Sequence, residues 1–186
     1  MITGKRIYLR AWERTDLETF TRWFNDPEVT VNLGNAYPAL SRAKEEQFLE
    51  QALLDDKRRY YAIVLREGDL LIGNCAFHEI DAFHRSAEIG IVIGEKAHWS
   101  QGYGREAVSM LLEIGFEGLG LNRVQLLCYD FNTRARRAYE AVGFVEEGRM
   151  RHSHFVAGAF HDMVIMSVLA EEYWARKRGA TPQATI

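Results

Sequence analysis

The chain has 186 residues, with 23 Lys or Arg set against 26 Asp or Glu for a net charge of −3. That balance gives no electrostatic case for nucleic acid or an anionic membrane as partner, and ordinary hydrophobic (47%) and charged (26%) contents fit one globular domain with a sizeable core. No run of apolar residues is long enough to span a bilayer, residues 1–8 lack the apolar stretch of a signal peptide, and Cys75 and Cys128 lie in strand-like runs as buried reduced thiols do. A cytoplasmic location is the expectation.

Residues 6–12 alternate well enough for an opening strand. Thr15 and Glu18 form a capping box ahead of Leu17, Phe20 and Phe24 at helical spacing. Asp26-Pro27 stops that helix, and residues 29–40 read as a loop broken by Gly34, Asn35 and Pro38. Ser41 caps a second helix through about residue 54, with Phe48, Leu49, Ala52 and Leu53 inward. Strands over 60–66 and 70–80 flank the turn Glu67-Gly68-Asp69, and a third covers 86–93. A helix from about 104 to 117, a strand over 123–129 and a helix over 133–142 follow, the last closed by Gly143. Strands over 144–149 and 160–168 bracket a His-rich loop; a short helix over 171–178 and a mobile tail from 179 complete the chain. There is no internal repeat and no linker, so residues 1–178 make one α/β domain with a mixed sheet.

The stretch Trp99-Ser-Gln-Gly-Tyr-Gly-Arg-Glu-Ala107 lies between the 86–93 strand and the helix that follows. Glycines at 102 and 104 leave N–H groups uncovered at a helix start, where the dipole also favours phosphate oxygens. Gly102-x-Gly104-x-x-Ala107 satisfies the dinucleotide fingerprint in letters only. The tight strand-to-glycine turn is missing, Asp130 does not end a clear second strand, and the preceding strands read as antiparallel. No Lys-Ser or Lys-Thr follows, so a P-loop is excluded, and no G-x-S-x-G elbow is present.

A second constellation is Asn132-x-x-Ala135-x-x-x-Tyr139-x-x-x-Gly143-Phe144. Ala135, Ala138, Tyr139 and Val142 share one helical face, which turns Tyr139 toward the sheet. Asn132 sits where strand meets helix, placed either to hydrogen-bond a polar ligand arm or to act as a plain N-cap.

With both motifs in hand, the chain resembles the GNAT superfamily of acyl-CoA-dependent N-acyltransferases over nearly its full length. The opening Arg6-Ile-Tyr-Leu-Arg…Asp16-Leu17…Trp23-Phe-Asn-Asp-Pro-Glu28 is similar to the RimJ/RimL-type branch, which acetylates ribosomal-protein N-termini. One departure is Trp99, where the superfamily pattern has Gln or Arg. The resemblance implies a single domain with a mixed, mostly antiparallel sheet of six to seven strands, helices on both faces and a splayed central strand pair. It implies acetyl-CoA as co-substrate, no metal, and a homodimer. The pyrophosphate would lie on the amides of Gln101, Gly102, Tyr103, Gly104 and Arg105, and the pantetheine along Ile91, Val92 and Ile93. That geometry needs the 86–93 and 123–129 strands to part, with Gly90 and Gly94 tolerating the distortion. Asn132 would contact the pantetheine, and Tyr139 would lie near the thioester sulfur.

An alkylamine is mostly protonated at neutral pH, so transfer needs a proton acceptor before attack on the thioester carbon. Glu88, on the strand that carries the acyl group, is the candidate base, with solvent exposure or an arginine partner as its alternative. A strand amide near Val92 is the candidate oxyanion donor. Tyr139 is the candidate acid for the leaving thiolate. Neither cysteine sits in a nucleophile motif, which favours direct attack in a ternary complex.

Arg105, or the group Arg134, Arg136 and Arg137, could meet a CoA phosphate or form a solvated face. His152, His154 and His161 lack the companions of a zinc site and are candidates for the acceptor pocket, as are Trp12, Trp23 and Tyr37, with core packing the alternative for the tryptophans. The acceptor amine stays open between a protein N-terminus and a polyamine, amino acid or aminoglycoside. A non-catalytic acyl-CoA-binding module is the reading from a different class.

Overall fold

The computed structural model describes residues 1–55 and 57–179. The tail expected from residue 179 lies outside them apart from Gly179.

Alternating apolar residues build eight strands: β1 (Ile2–Thr3), β2 (Ile7–Ala11), β3 (Arg59–Leu65), β4 (Leu71–Asp81), β5 (Ser86–Ile93), β6 (Arg123–Tyr129), β7 (Val145–Val156) and β8 (Ala159–Leu169). They form one sheet in the order β1-β2-β3-β4-β5-β6-β8-β7. All neighbours are antiparallel except β5 and β6. The strand beyond the expected six to seven is β1, whose two residues pair with Tyr8 and Leu9 and are too few to show a period.

The two-residue period of strands divides the apolar side chains between two cores. Ile7, Leu9, Ile63, Ile89, Val124 and Met166 face α4 (Tyr103–Glu113), α5 (Thr133–Val142) and α6 (Ala170–Lys177). Ala62, Val64 and Val92 face α1 (Leu17–Trp23) and α3 (Arg42–Leu53). Trp12 and Trp23 belong to this second core, 5% and 1% exposed, so they are packing residues rather than pocket walls. Cys75 and Cys128 are buried free thiols; burial pushes both pKa values up, Cys128 to about 11.

Local chemistry moves several boundaries. The box at the start of α1 is Glu13–Asp16, with the Glu13 N–H donating to Asp16 Oδ2 at 2.9 Å, and not Thr15–Glu18. Arg10 donates twice to the same buried carboxylate, at 2.8 and 2.6 Å, which ties the end of β2 to the first turn of α1. Asp26 does more than stop a helix: its Oδ1 accepts from the Glu28 N–H at 2.9 Å and caps α2 (Pro27–Thr30). That short helix and the 3₁₀ turn Val31–Leu33 occupy part of the expected loop. α4 ends at Glu113 and passes into a π-helical turn over Ile114–Gly118. The His-rich loop expected between the last strands is strand as well. Register shifts at Glu146/Gly148 and Met150/His154, with His152 at φ 47°, break the alternation that would have shown it.

Candidate active site

β5 and β6 pair only at Ser86↔Arg123, Ala87↔Val124 and Glu88↔Gln125. Beyond that point the parallel strands part, as the family resemblance implies, and the gap opens into a cleft of about 360 Å³. Strand geometry decides what each residue of β5 offers it. The Gly94 N–H donates to the Ile72 carbonyl of β4, and the Val92 carbonyl lies against Gly73 of the same strand. Alternation therefore turns the backbone of Val92 toward β4 and leaves the N–H groups of Ile91 and Ile93 facing the gap. The Val92 amide expected as oxyanion donor therefore faces β4, and those of its two neighbours face the gap.

Side chains alternate too. Ile89, Ile91 and Ile93 point to the α4/α5 face, where Tyr139 is 8% exposed and packs on Phe144 with ring centroids 5.9 Å apart. Burial, with the Cys128 thiol adding to it, raises the Tyr139 pKa above the ordinary tyrosine value. The phenol thus stays protonated throughout the physiological range. Glu88, Gly90 and Val92 point to the opposite face. Glu88 is half-buried and accepts from the Gln125 amide at 3.4 Å, across the last paired residues before the strands part. Tyr139 and Glu88 therefore flank the gap from opposite sides of the sheet.

Past the mouth of the gap, Gly102 sits at φ 84° as the N-cap residue of α4. This left-handed conformation is strained for any residue with a Cβ. The N–H groups of Tyr103, Gly104 and Arg105 form the helix's first turn, whose amides have no intrahelical partner, and all three residues line the cleft. Gln101 does not. Its side chain donates to the Ala97 carbonyl at 2.6 Å, its carbonyl accepts from Arg6 at 2.9 Å, and it faces a second groove. Arg6, which the sequence did not single out, pins this turn to the N-terminal strands: it also bonds Glu106 at 3.0 Å and stacks on Tyr103 at 4.4 Å.

Trp99 has a structural reason. Its indole N–H donates to the Ile93 carbonyl at 2.6 Å, which closes the open edge of β5 after the Ile93 amide. Arg134 stacks on the Trp99 ring at 4.0 Å and lines the cleft beside Gly102–Arg105. Among the described ion pairs neither Arg134 nor Arg105 takes part, whereas Arg136 is held by Glu146 at 3.0 Å. Asn132 is the N-cap of α5. Its Oδ1 caps α5 through the Ala135 N–H at 3.2 Å, and the residue lines the cleft.

Val29, Asn32, Leu33 and Tyr129 also line the cleft. Tyr37 is 84% exposed and lies outside it. The histidines of the β7–β8 hairpin also miss the lining: His161 bonds Asp130 at 3.2 Å, and His154 meets the Tyr129 ring edge-on. His78, which the sequence reading passed over, does line it. Gly90 and Gly94 provide clearance rather than flexibility. A Cβ on Gly94 would stand 2.0 Å from the Trp23 ring, and one on Gly90 2.2 Å from His78 Nε2. Among the described residues no group of three His, Cys, Asp or Glu is placed to hold a metal ion, and no helix is long and apolar enough to cross a membrane.

A parted parallel strand pair with an anion-binding helix start at its mouth defines a site for an acyl group on a phosphorylated carrier. Residues 6–145 match the Acetyltransferase (GNAT) domain, and the chain belongs to that family. It is 31% identical over 171 residues to the Bacillus licheniformis uncharacterized N-acetyltransferase p20, covering 91% of this chain and 96% of that one. It is 30% identical over 173 residues to the spermidine N(1)-acetyltransferase of Vibrio cholerae, covering 93% of this chain and 98% of that one. Among solved structures, the Vibrio cholerae spermidine N-acetyltransferase in complex with CoA and spermine superposes with a TM-score of 0.84 at 29% identity, covering 91% and 98% of the two chains. The protein is an acetyl-CoA-dependent N-acetyltransferase, transferring acetyl to an amine.

Proposed function

We propose that the acceptor is an aliphatic polyamine and that the cleft divides donor from acceptor by charge. One observation carries this reading: among the described lining residues Glu88 is the sole carboxylate, while Arg105 and Arg134 lie together at the glycine turn. An ammonium group is drawn to the first end and a pyrophosphate to the second. Similarity to spermidine acetyltransferases over nearly the whole chain supports the choice of a small cationic acceptor.

In this reading the N–H groups of Gly102, Tyr103, Gly104 and Arg105 hold the pyrophosphate, with Arg134 beside them. Ile91, Val92 and Ile93 carry the pantetheine, the amides of Ile91 and Ile93 bonding it as an added strand would; Asn132 bonds it from α5. Bound acetyl-CoA supplies the activated acetyl thioester. Glu88, which the sequence offers as a base, anchors the acceptor cation, Tyr139 protonates the departing sulfur, and an amide of Ile91 or Ile93 steadies the negative charge on the acyl oxygen. The raised pKa of Cys128, the one thiol in the lining, supports direct attack without an acyl-enzyme. A homodimer goes with the reading on family resemblance alone, and a cytoplasmic location on the sequence composition.

The test is CoA release with spermidine, spermine, an aminoglycoside and an alanine-terminated peptide as acceptors. Spermidine is expected to give a kcat/KM about tenfold or more above the peptide. The reverse order favours the second reading, a protein N-terminal amine as in the RimJ/RimL-type branch. That reading rests on the opening pattern of residues 6–28 and on 34% identity over 134 residues, 68% of this chain and 72% of the other, to Bacillus subtilis YdaF, named as a candidate ribosomal N-acetyltransferase.

A further inference from the structure

We infer that His78 is the catalytic base that takes the proton from the acceptor ammonium, and that Glu88 beside it binds the cation rather than the proton. The inference rests on the acetyl-transfer reading of the cleft and deepens it.

The register of β4 and β5 isolates this residue. Phe77 pairs with Ile89 and Glu79 with Glu88, so His78 is the extra residue of a bulge and has no partner on β5. Bulges re-aim side chains, and here the imidazole is turned over the sheet face that carries Glu88, Gly90 and Val92. Its Nε2 occupies the place a Cβ on Gly90 would take, and the edge of the ring meets Tyr60 of β3 at 6.5 Å between centroids. Gly90 is therefore a seat for the ring. The seated imidazole and Glu88 both line the cleft, on the face opposite Tyr139.

Four surroundings set its charge. Burial lowers the His78 pKa most, Glu88 on β5 raises it, Arg58 ahead of β3 lowers it, and Glu79 on its own strand raises it; the net direction is below the ordinary histidine value. A half-buried imidazole that is neutral near pH 7 can accept a proton there, and imidazole titrates nearer neutrality than a carboxylate does. The step balances. His78 takes one proton from the ammonium nitrogen and passes it to solvent, and the freed lone pair forms the C–N bond as the C–S bond breaks. The second nitrogen proton passes to water as the amide forms, Tyr139 gives the proton that sulfur gains, and the phenolate regains one from water, so one proton is released overall.

The experiment compares His78→Gln, Glu88→Gln and Gly90→Ala, with spermidine as acceptor, in kcat/KM from about pH 5.5 to about pH 10. His78→Gln is expected to lose at least about tenfold near pH 7 and to recover toward wild type as the pH approaches about 10, where a substantial fraction of the amine is already neutral. Gly90→Ala, which keeps the imidazole but evicts it from its seat, is expected to show the same pH-dependent loss. Glu88→Gln is expected to raise the spermidine KM while keeping the acidic limb, moved to lower pH because a group that raises the His78 pKa is gone. The imidazole followed by NMR in the unliganded protein shows that same displacement independently of turnover. An His78→Gln deficit equal at every pH, no deficit at all, or loss of the acidic limb in Glu88→Gln alone each overturns the assignment. If the wild type acetylates the alanine-terminated peptide and not spermidine, the polyamine reading fails and the same series on the peptide still tests His78.

Discussion

The two ends of the cleft are built in opposite ways. The donor end comes from three short contiguous segments: one strand edge, one glycine turn and the start of one helix. Its contacts are mostly backbone N–H groups, and Trp99 and Arg134 brace it. In the proposed reading the acceptor meets single side chains from far-apart segments that line the cleft, with Val29 and Leu33 after α1, His78 from a bulge in β4, Glu88 from β5 and Tyr129 from the end of β6. Backbone recognition tolerates side-chain change, which is how Trp99 can stand where the family pattern has Gln or Arg. Side-chain recognition does not, so acceptor choice can drift while the donor stays the same.

Variants of the two ends should separate accordingly. The largest effect is expected from Tyr139→Phe, which removes the proton donor and leaves the apolar contacts. Single-turnover acetyl transfer should fall by about 10²–10³-fold, with CoA affinity by calorimetry within about twofold of wild type. Next comes Asp16→Asn, which strips the buried partner from Arg10 where β2 meets α1, beneath the acceptor end. A loss near 3 kcal/mol in denaturant unfolding is expected, with CoA affinity of the folded protein unchanged. Gly102→Ala places a Cβ at φ 84°, a strain of about 1–2 kcal/mol. It should weaken acetyl-CoA binding by roughly tenfold without moving the acceptor KM.

Arg134→Ala is expected to weaken CoA by about fivefold and to flatten the salt dependence of binding, the signature of a lost phosphate contact. The smallest effect belongs to the far edge of the sheet. There the Arg123 guanidinium, with Ser167 adding a hydrogen bond, holds the Glu147 carboxyl down at about 2. A depressed carboxylate stabilises fully above its unfolded pKa of about 4.3 and loses that contribution as pH falls toward about 2. The pair is partly exposed, so the contribution is about 1 kcal/mol or less. Melting followed between about pH 5 and pH 2 should decline less steeply in Glu147→Gln than in wild type, with activity near pH 7 unaltered.

The same division decides what could be read in the sequence. The glycine turn, the 86–93 strand and the Asn132–Phe144 helix each carry a local period or a local motif, and the structure brings them together as the family resemblance implies. Gln101 carries a letter of the motif, while its side chain is tied back to Ala97 and the residue stands outside the cleft lining. His78 was missed for a different reason. A bulge leaves no mark on the pattern of its own strand, and only the register with β5 reveals it. The nearest signal was Gly90, a glycine inside a strand, which can mark a close approach as readily as a distortion. Tyr37 and the hairpin histidines were drawn in by residue type alone, and nothing in their spacing tied them to the cleft. β1 is too short to register, and the strand over 150–156 was hidden by the left-handed His152.

Amide hydrogen exchange on addition of acetyl-CoA tests most directly the claim that the donor is held by the backbone of the parted strand and the helix start. The account predicts slowed exchange at Ile91 and Ile93 and at Gly102 to Arg105, little change at Val92, whose N–H already faces β4, and no such pattern with spermidine alone. Acetyl-CoA binding that leaves Ile91 and Ile93 exchanging as before, or spermidine protecting the glycine turn, would contradict it.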